Sequence, residues 1–219
     1  MRQLFIQKTA MTTALAGIVA LSSLALSGAA FGDEASDAFA LENRFEHTLT
    51  EVPESDREAT LGALADDATA LAETYPDSAD VLIWQGVVLA SYAHERGGLG
   101  ALGDAKTARK ALERAIKLDP DGNAGSAYVT LGALYDRVPG GLIGFGDSDT
   151  AERMFQRALA IRPDGIDANY YYATFLAEEG ETQAAREYAQ RAMSGTARGA
   201  RKATDEALRR QAKALLNTL

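Results

Sequence analysis

The chain of 219 residues contains no cysteine. That excludes disulfides, thiolate metal sites, a cysteine nucleophile and the lipidated cysteine of a bacterial lipoprotein. Histidine is nearly absent too, with only His47 and His94, so imidazole-rich metal centres are excluded as well. The five prolines all lie outside the long Ala-rich segments and punctuate them. Positive charge is in deficit, with 22 Lys and Arg against 31 Asp and Glu. An acidic chain is poorly suited to phosphate backbones and anionic membrane surfaces, both of which draw on Lys and Arg. Nucleic acid is therefore not an expected partner.

Acidic residues are missing altogether before Asp33. Arg2 and Lys8 precede the apolar run "TALAGIVALSSLAL" and the small-residue stretch "SGAAFG". This is the pattern of a secretory signal peptide, residues 1–32, with cleavage near 29–32. The competing reading is a retained anchor over residues 11–31, a length just able to span a bilayer. Serines and glycines thin its hydrophobicity, and cleavage is the preferred reading. Loss of Arg2 and Lys8 leaves 20 basic against 31 acidic residues, a formal charge of −11. Export to a bacterial periplasm is expected, with packing alone holding the fold.

The feature most plainly present is a repeat. "TARKALERAIKLDP" places Ala108, Leu112 and Ala115 at fixed offsets before Pro120. "TAERMFQRALAIRP" places Ala151, Phe155 and Ala158 at the same offsets before Pro163. One helix pair cannot bury its apolar face alone, so such repeats stack. Leu131-Gly132 with Tyr135 fits the first helix of a tetratricopeptide repeat, and Gly86 and Ala173 supply the small residue in other pairs. Helices are predicted over 35–51, 55–74, 78–95, 104–118, 125–137, 148–161, 166–179, 182–194 and 203–217. The fold class is all-α: about four antiparallel tetratricopeptide-like helix pairs and a C-terminal capping helix, forming a short superhelix. Residues 33–76 form a degenerate first pair, 77–195 the repeats proper and 196–219 the cap. The basic residues of that cap, among them Arg198 and Arg201, read as a solvated face balancing the acidic body.

Two insertions interrupt the 34-residue frame, over residues 96–104 and 138–148. Both lie between the helices of a pair and combine glycines with large apolar side chains: "ERGGLGALGD" and "RVPGGLIGFGD". Such loops either fold over a pocket or meet a partner. The run Gly98–Gly103 matches G-x-G-x-x-G, but a dinucleotide site needs a preceding strand and none is predicted. "DPDGN" at 119–123 is a helix-terminating turn rather than a calcium loop. No catalytic constellation, metal set or cofactor motif stands out, and the chain reads as non-catalytic.

Helical spacing places Tyr172 in the core and Tyr170 on the inner, concave face with Thr174. The same offsets bring Val129, Ala133 and Arg137 to that face from the preceding pair, and Val87 and Ser91 from the pair before. With Leu99, Leu142 and Phe145 from the two loops, these ten residues form the candidate binding site. The groove is apolar and lacks the Asn, Lys and Arg clamps that peptide-reading repeats use. An apolar small molecule or an apolar partner segment suits it. An enclosed pocket beneath Leu99, Leu142 and Phe145 would fit a ligand carrier, and an open apolar patch there would fit a scaffold for envelope complexes.

Residues 131–181, "LGALYDRVPGGLIGFGDSDTAERMFQRALAIRPDGIDANYYYATFLAEEGE", resemble the T component associated with tripartite ATP-independent periplasmic (TRAP) transporters. The matching residues are Pro139, Phe145, Gly146, Asp147, Ala151, Pro163, Asp164, Gly165, Asn169 and Tyr170. The resemblance implies an all-α periplasmic repeat protein that oligomerises, holds an apolar ligand and docks a substrate-binding protein. The missing lipobox cysteine departs from lipid-tethered members.

Overall fold

Small residues on one helix face large ones on its partner throughout the molecule, and this contact sets how closely the helices lie. The computed structural model describes residues 33–219, so the predicted leader lies outside the described residues. The helices are α1 Glu34–Thr50, α2 Glu54–Thr74, α3 Ala79–Arg96, α4 Ala101–Leu118, α5 Ser126–Arg137, α6 Ser148–Ile161, α7 Ile166–Glu178, α8 Thr182–Ser194 and α9 Lys202–Leu216. No strand occurs among the described residues. A Cβ added to Gly86 would stand 2.3 Å from Leu112 Cγ, and one on Gly132 would stand 2.6 Å from Phe155 Cε1. These glycines let α3 meet α4, and α5 meet α6, at backbone range. Leu112 and Phe155 are the bulky residues at the shared offset before each proline.

The proline turns carry a second repeating contact. Arg114 on α4 pairs with Asp77, just after Pro76, at 2.7 Å. Arg157 on α6 pairs with Asp121, just after Pro120, at 3.0 Å. Each arginine sits six residues before its own repeat's proline and reaches the turn of the previous repeat. These exposed pairs set register more than stability, being worth ~0–1 kcal/mol each.

Helix ends follow local chemistry, with some departures from the sequence reading. Ser78 caps α3 through the Val81 amide at 3.3 Å, and Asp147 caps α6 through the Thr150 amide at 2.7 Å. Helix α2 begins at Glu54 behind Pro53, and the Ser55 hydroxyl turns to Asp56. Helix α4 begins three residues earlier than expected, at Ala101. Ala101, Leu102 and Gly103 therefore form its first turn, and the first insertion is mostly extra helix. Asp104, in the first turn of α4, pairs with Arg96 across the short connection at 3.1 Å.

The odd-numbered helices touch in sequence: α1 with α3, α3 with α5, α5 with α7, α7 with α9, and α9 with α1. They form a closed ring, with α2, α4, α6 and α8 packed outside it. The last helix is therefore more than a cap, since it completes the wall by returning to the first.

Gly132→Ala should lower stability by about 1–3 kcal/mol, because buried Phe155 has no room to retreat. Gly103→Ala, on α4 with nothing within 4 Å, should raise it by up to ~1 kcal/mol through helix propensity. Urea denaturation midpoints moving in opposite directions would verify the contrast; a stabilised Gly132→Ala would refute it.

Candidate functional site

The ring surrounds a partly open lumen of about 890 Å³. Helix α3 gives Val87, Ala90, Ser91 and His94 to its wall, and α5 gives Val129, Ala133, Leu134 and Arg137. Helix α7 adds Tyr170 and Tyr171; α1 adds Phe45 and Leu49; α9 adds Thr204, Ala207 and Leu208. Residues on one helical face recur every three or four positions, so each helix contributes a stripe. The wall is mainly apolar, and its volume falls within the range of small-molecule sites, about 300–1,000 Å³.

Of the ten residues singled out from the sequence, Val87, Ser91, Leu99, Val129, Ala133, Arg137 and Tyr170 line this lumen. Leu142, Phe145 and Thr174 do not. Leu142 stands fully in solvent at the tip of the second loop, with neighbouring Ile143 62% exposed at the rim. Phe145 turns the other way: its ring meets Tyr135 edge-on at 5.4 Å and lies 4.4 Å beneath the Arg109 guanidinium. It anchors the loop to α4 and α5 instead of roofing a pocket. Thr174 spends its hydroxyl on the Tyr170 carbonyl at 3.1 Å. Leu99 is 85% exposed on the short α3–α4 turn at the rim. No pocket lies covered by Leu99, Leu142 and Phe145 together; Leu99 and Leu142 stand exposed, the arrangement expected of a scaffold, while Phe145 is packed away.

The second loop is nonetheless well built. The Gly146 amide donates to the Pro139 carbonyl at 3.1 Å and the Asp147 amide to the Tyr135 carbonyl at 2.9 Å. A Cβ on Gly144 or Gly146 would fall within 2.0 Å of a backbone oxygen, so these positions admit glycine alone. The Gly-rich composition is a packing demand, and it leaves Leu142 and Ile143 projecting.

The α1 and α9 wall was not foreseen. The α1 residues belong to a pair with weak repeat character, and α9 was read as a polar-faced cap. Its inward stripe, Arg201, Thr204, Leu208 and Gln211, does follow helical spacing and could have signalled a lining face.

Charged groups brace one end of the lumen. Arg201 pairs with Glu46 of α1 at 3.2 Å and lies over the Trp84 ring at 5.3 Å. The Thr204 hydroxyl donates to the same carboxylate. Arg198 reaches Asp205 at 2.6 Å, Asp167 at 3.0 Å and the Ser126 hydroxyl at 3.4 Å. Arg162 also binds Asp167. Arg198 and Arg201, read from sequence as a solvated basic face, are instead half-buried and buried, respectively, as partners of three acids. Burial alone would raise the Asp167 carboxyl, but Arg198, Arg162 and Arg201 together hold it below its ordinary range.

A carboxyl depressed in the folded state contributes stability above its unfolded value. That contribution disappears as pH falls below about 3.8 toward the lowered folded value. Asp167→Asn should cost about 3–5 kcal/mol at neutral pH by leaving buried arginine charge uncompensated. It should also flatten the acid limb of the stability–pH curve, measured by denaturant unfolding from pH 7 down to about pH 2. An unchanged acid limb would show that the carboxylate is not what acid attacks.

No helix among the described residues is long and apolar enough to cross a membrane. No curated protein sequence matches the chain. Among solved structures, a crystal structure of MamA overlaps 64% of this chain and 91% of its own, at 17% identity and a TM-score of 0.35. The family model for the TRAP transporter T-component matches residues 40–218, from within α1 to beyond the end of α9. With that match spanning the whole repeat array, the chain belongs to the TRAP transporter T-component family.

Proposed function

We propose that this protein is a non-catalytic periplasmic carrier and adaptor, holding an apolar-bodied small molecule in its lumen for a transporter-associated binding protein. The carrying observation is the closed ring around about 890 Å³ of mainly apolar space. A helix stack that needed only stability would fill that volume with side chains, since protein interiors reach crystal-like density. Here small residues, Ala90, Ser91, Ala133 and Ala207, hold it open. The wall offers no nucleophile–base pair among its hydrogen-bonded groups, which supports binding over catalysis.

The rim supports the adaptor half of the reading. Leu99, Leu142 and Ile143 are 85%, 108% and 62% exposed on the two inter-helix connections. Leu99 and Ile143 also line the lumen entrance, so a partner seated there would cover the opening. Apolar side chains presented this way mark contact surfaces. A periplasmic binding protein or a second copy of the chain fits this rim. Export of the mature chain by its N-terminal signal completes the reading. The second reading, a scaffold for envelope complexes with no ligand, rests on the same exposed rim.

Native mass spectrometry of protein purified from the periplasm should reveal a small adduct that denaturing extraction releases. Ala133→Trp, which fills the lumen from α5, should remove the adduct while leaving circular dichroism and melting temperature nearly unchanged. A clean apo mass that persists after incubation with apolar extracts would favour the scaffold.

A further inference from the structure

The lumen is not uniformly apolar, and its polar groups are unevenly compensated. Arg57 on the wall is matched by Glu95 at 3.5 Å. Arg201 is matched by Glu46, and Asp167 by Arg162 and Arg198. Arg137, 42% exposed at the end of α5, is the arginine of the wall with the loosest ion pair. Among the described residues, its sole charged contact is the neighbouring Asp136, at 3.9 Å. Such a distance is too long for a hydrogen bond.

Two phenols stand on the adjoining wall. Tyr170 and Tyr171 pack edge to face at 5.2 Å and both line the lumen. Neither hydroxyl makes a hydrogen bond among the described residues, unlike Tyr172, which donates to Glu152 at 2.9 Å. Burial pushes the Tyr171 phenol upward, with Arg137 near enough to oppose that rise. Tyr171 therefore keeps its proton and presents a donor. The α5 and α7 wall thus offers a guanidinium and two phenolic donors with no protein acceptor. Arg137 is exposed and both tyrosines are half-buried, so water satisfies these groups in the free protein and a ligand head must replace that water.

The remaining wall has a different character. Phe45 and Leu49 of α1, Ala90 of α3 and Leu208 of α9 form its apolar part. The α5 stretch from Ser126 to Arg137 sets the depth at about 17 Å, from eleven steps of ~1.5 Å. An extended alkyl chain advances roughly 1.3 Å per carbon, given its ~1.5 Å bonds, so about a dozen carbons match that depth.

Building on the carrier reading, we infer that the lumen takes a single-chain amphiphile. Its anionic head, a carboxylate or a phosphate, is held by Arg137, Tyr170 and Tyr171, and its alkyl tail lies along α1, α3 and α9. Anion selection follows because an anionic head adds an ion pair with Arg137 that a neutral head cannot make. Charge-assisted hydrogen bonds are roughly twice as strong as neutral ones.

Calorimetric titration of the full mature protein with dodecanoate, dodecyl phosphate and 1-dodecanol tests this. At least one anion should bind about tenfold or more tightly than the alcohol. In the Arg137→Gln/Tyr171→Phe double variant, that anion should fall to the alcohol's affinity while the alcohol itself is unaffected. Equal binding of all three probes to the wild type would overturn the anionic head and leave the carrier reading standing. An anion preference that survives in the double variant would overturn the assigned residues. Failure of every probe to bind would overturn the carrier reading and this inference together.

Discussion

The closure of α9 against α1 is the constraint on which the lumen depends. An open stack of four helix pairs has a concave face but no lumen. Here Glu46 accepts from both Arg201 and Thr204, joining residues more than 150 positions apart in sequence. Arg198 ties the same segment to α7 through Asp167 and to the start of α5 through Ser126. Such buried pairs add little net stability against apolar substitutes, and removing one partner is costly. Their use here is geometric, since hydrophobic contact alone would not fix where α9 ends its return.

The ring and the repeats divide the work between them. Small residues at Gly86 and Gly132 draw the outer helices close, so much of the apolar core lies between paired helices. Short side chains on the inner face leave space, and the ionic brace ties one end of the ring. The connections at the rim then carry apolar side chains outward because their glycine backbones fold tightly on themselves. A transporter-associated role, shown by family membership, is compatible with a device whose opening and contact surface coincide.

Most of the helical scaffold was legible from residue types. The matched offsets of Ala108, Leu112 and Ala115 with Ala151, Phe155 and Ala158 encode a local contact repeated along the chain, and local contacts leave periodic traces. Prolines 76, 120 and 163 stop helices at their own positions, again a local effect. The inner-face residues Val87, Val129 and Tyr170 followed from helical geometry alone. What failed were inferences about loops and long-range partners. Phe145 looked like a lid because it is apolar and sits in a Gly-rich segment, yet Tyr135 and Arg109 hold it on the outer packing layer. Arg198 and Arg201 looked solvated because Asp167 and Glu46 lie far away in sequence.

The sequence by itself determined the all-α repeat, the helix pairing and the apolar, small-residue character of the inner face. Each depends on spacing within one or two helices, where 3.6-residue geometry converts order into position. Only the tertiary structure decided that the array closes, that α1 and α9 share the wall and that Arg137, Tyr170 and Tyr171 meet with no protein acceptor. Those outcomes rest on contacts between distant segments and on which charges are already satisfied. No periodicity records either, because a partner's position in the chain is independent of its position in space.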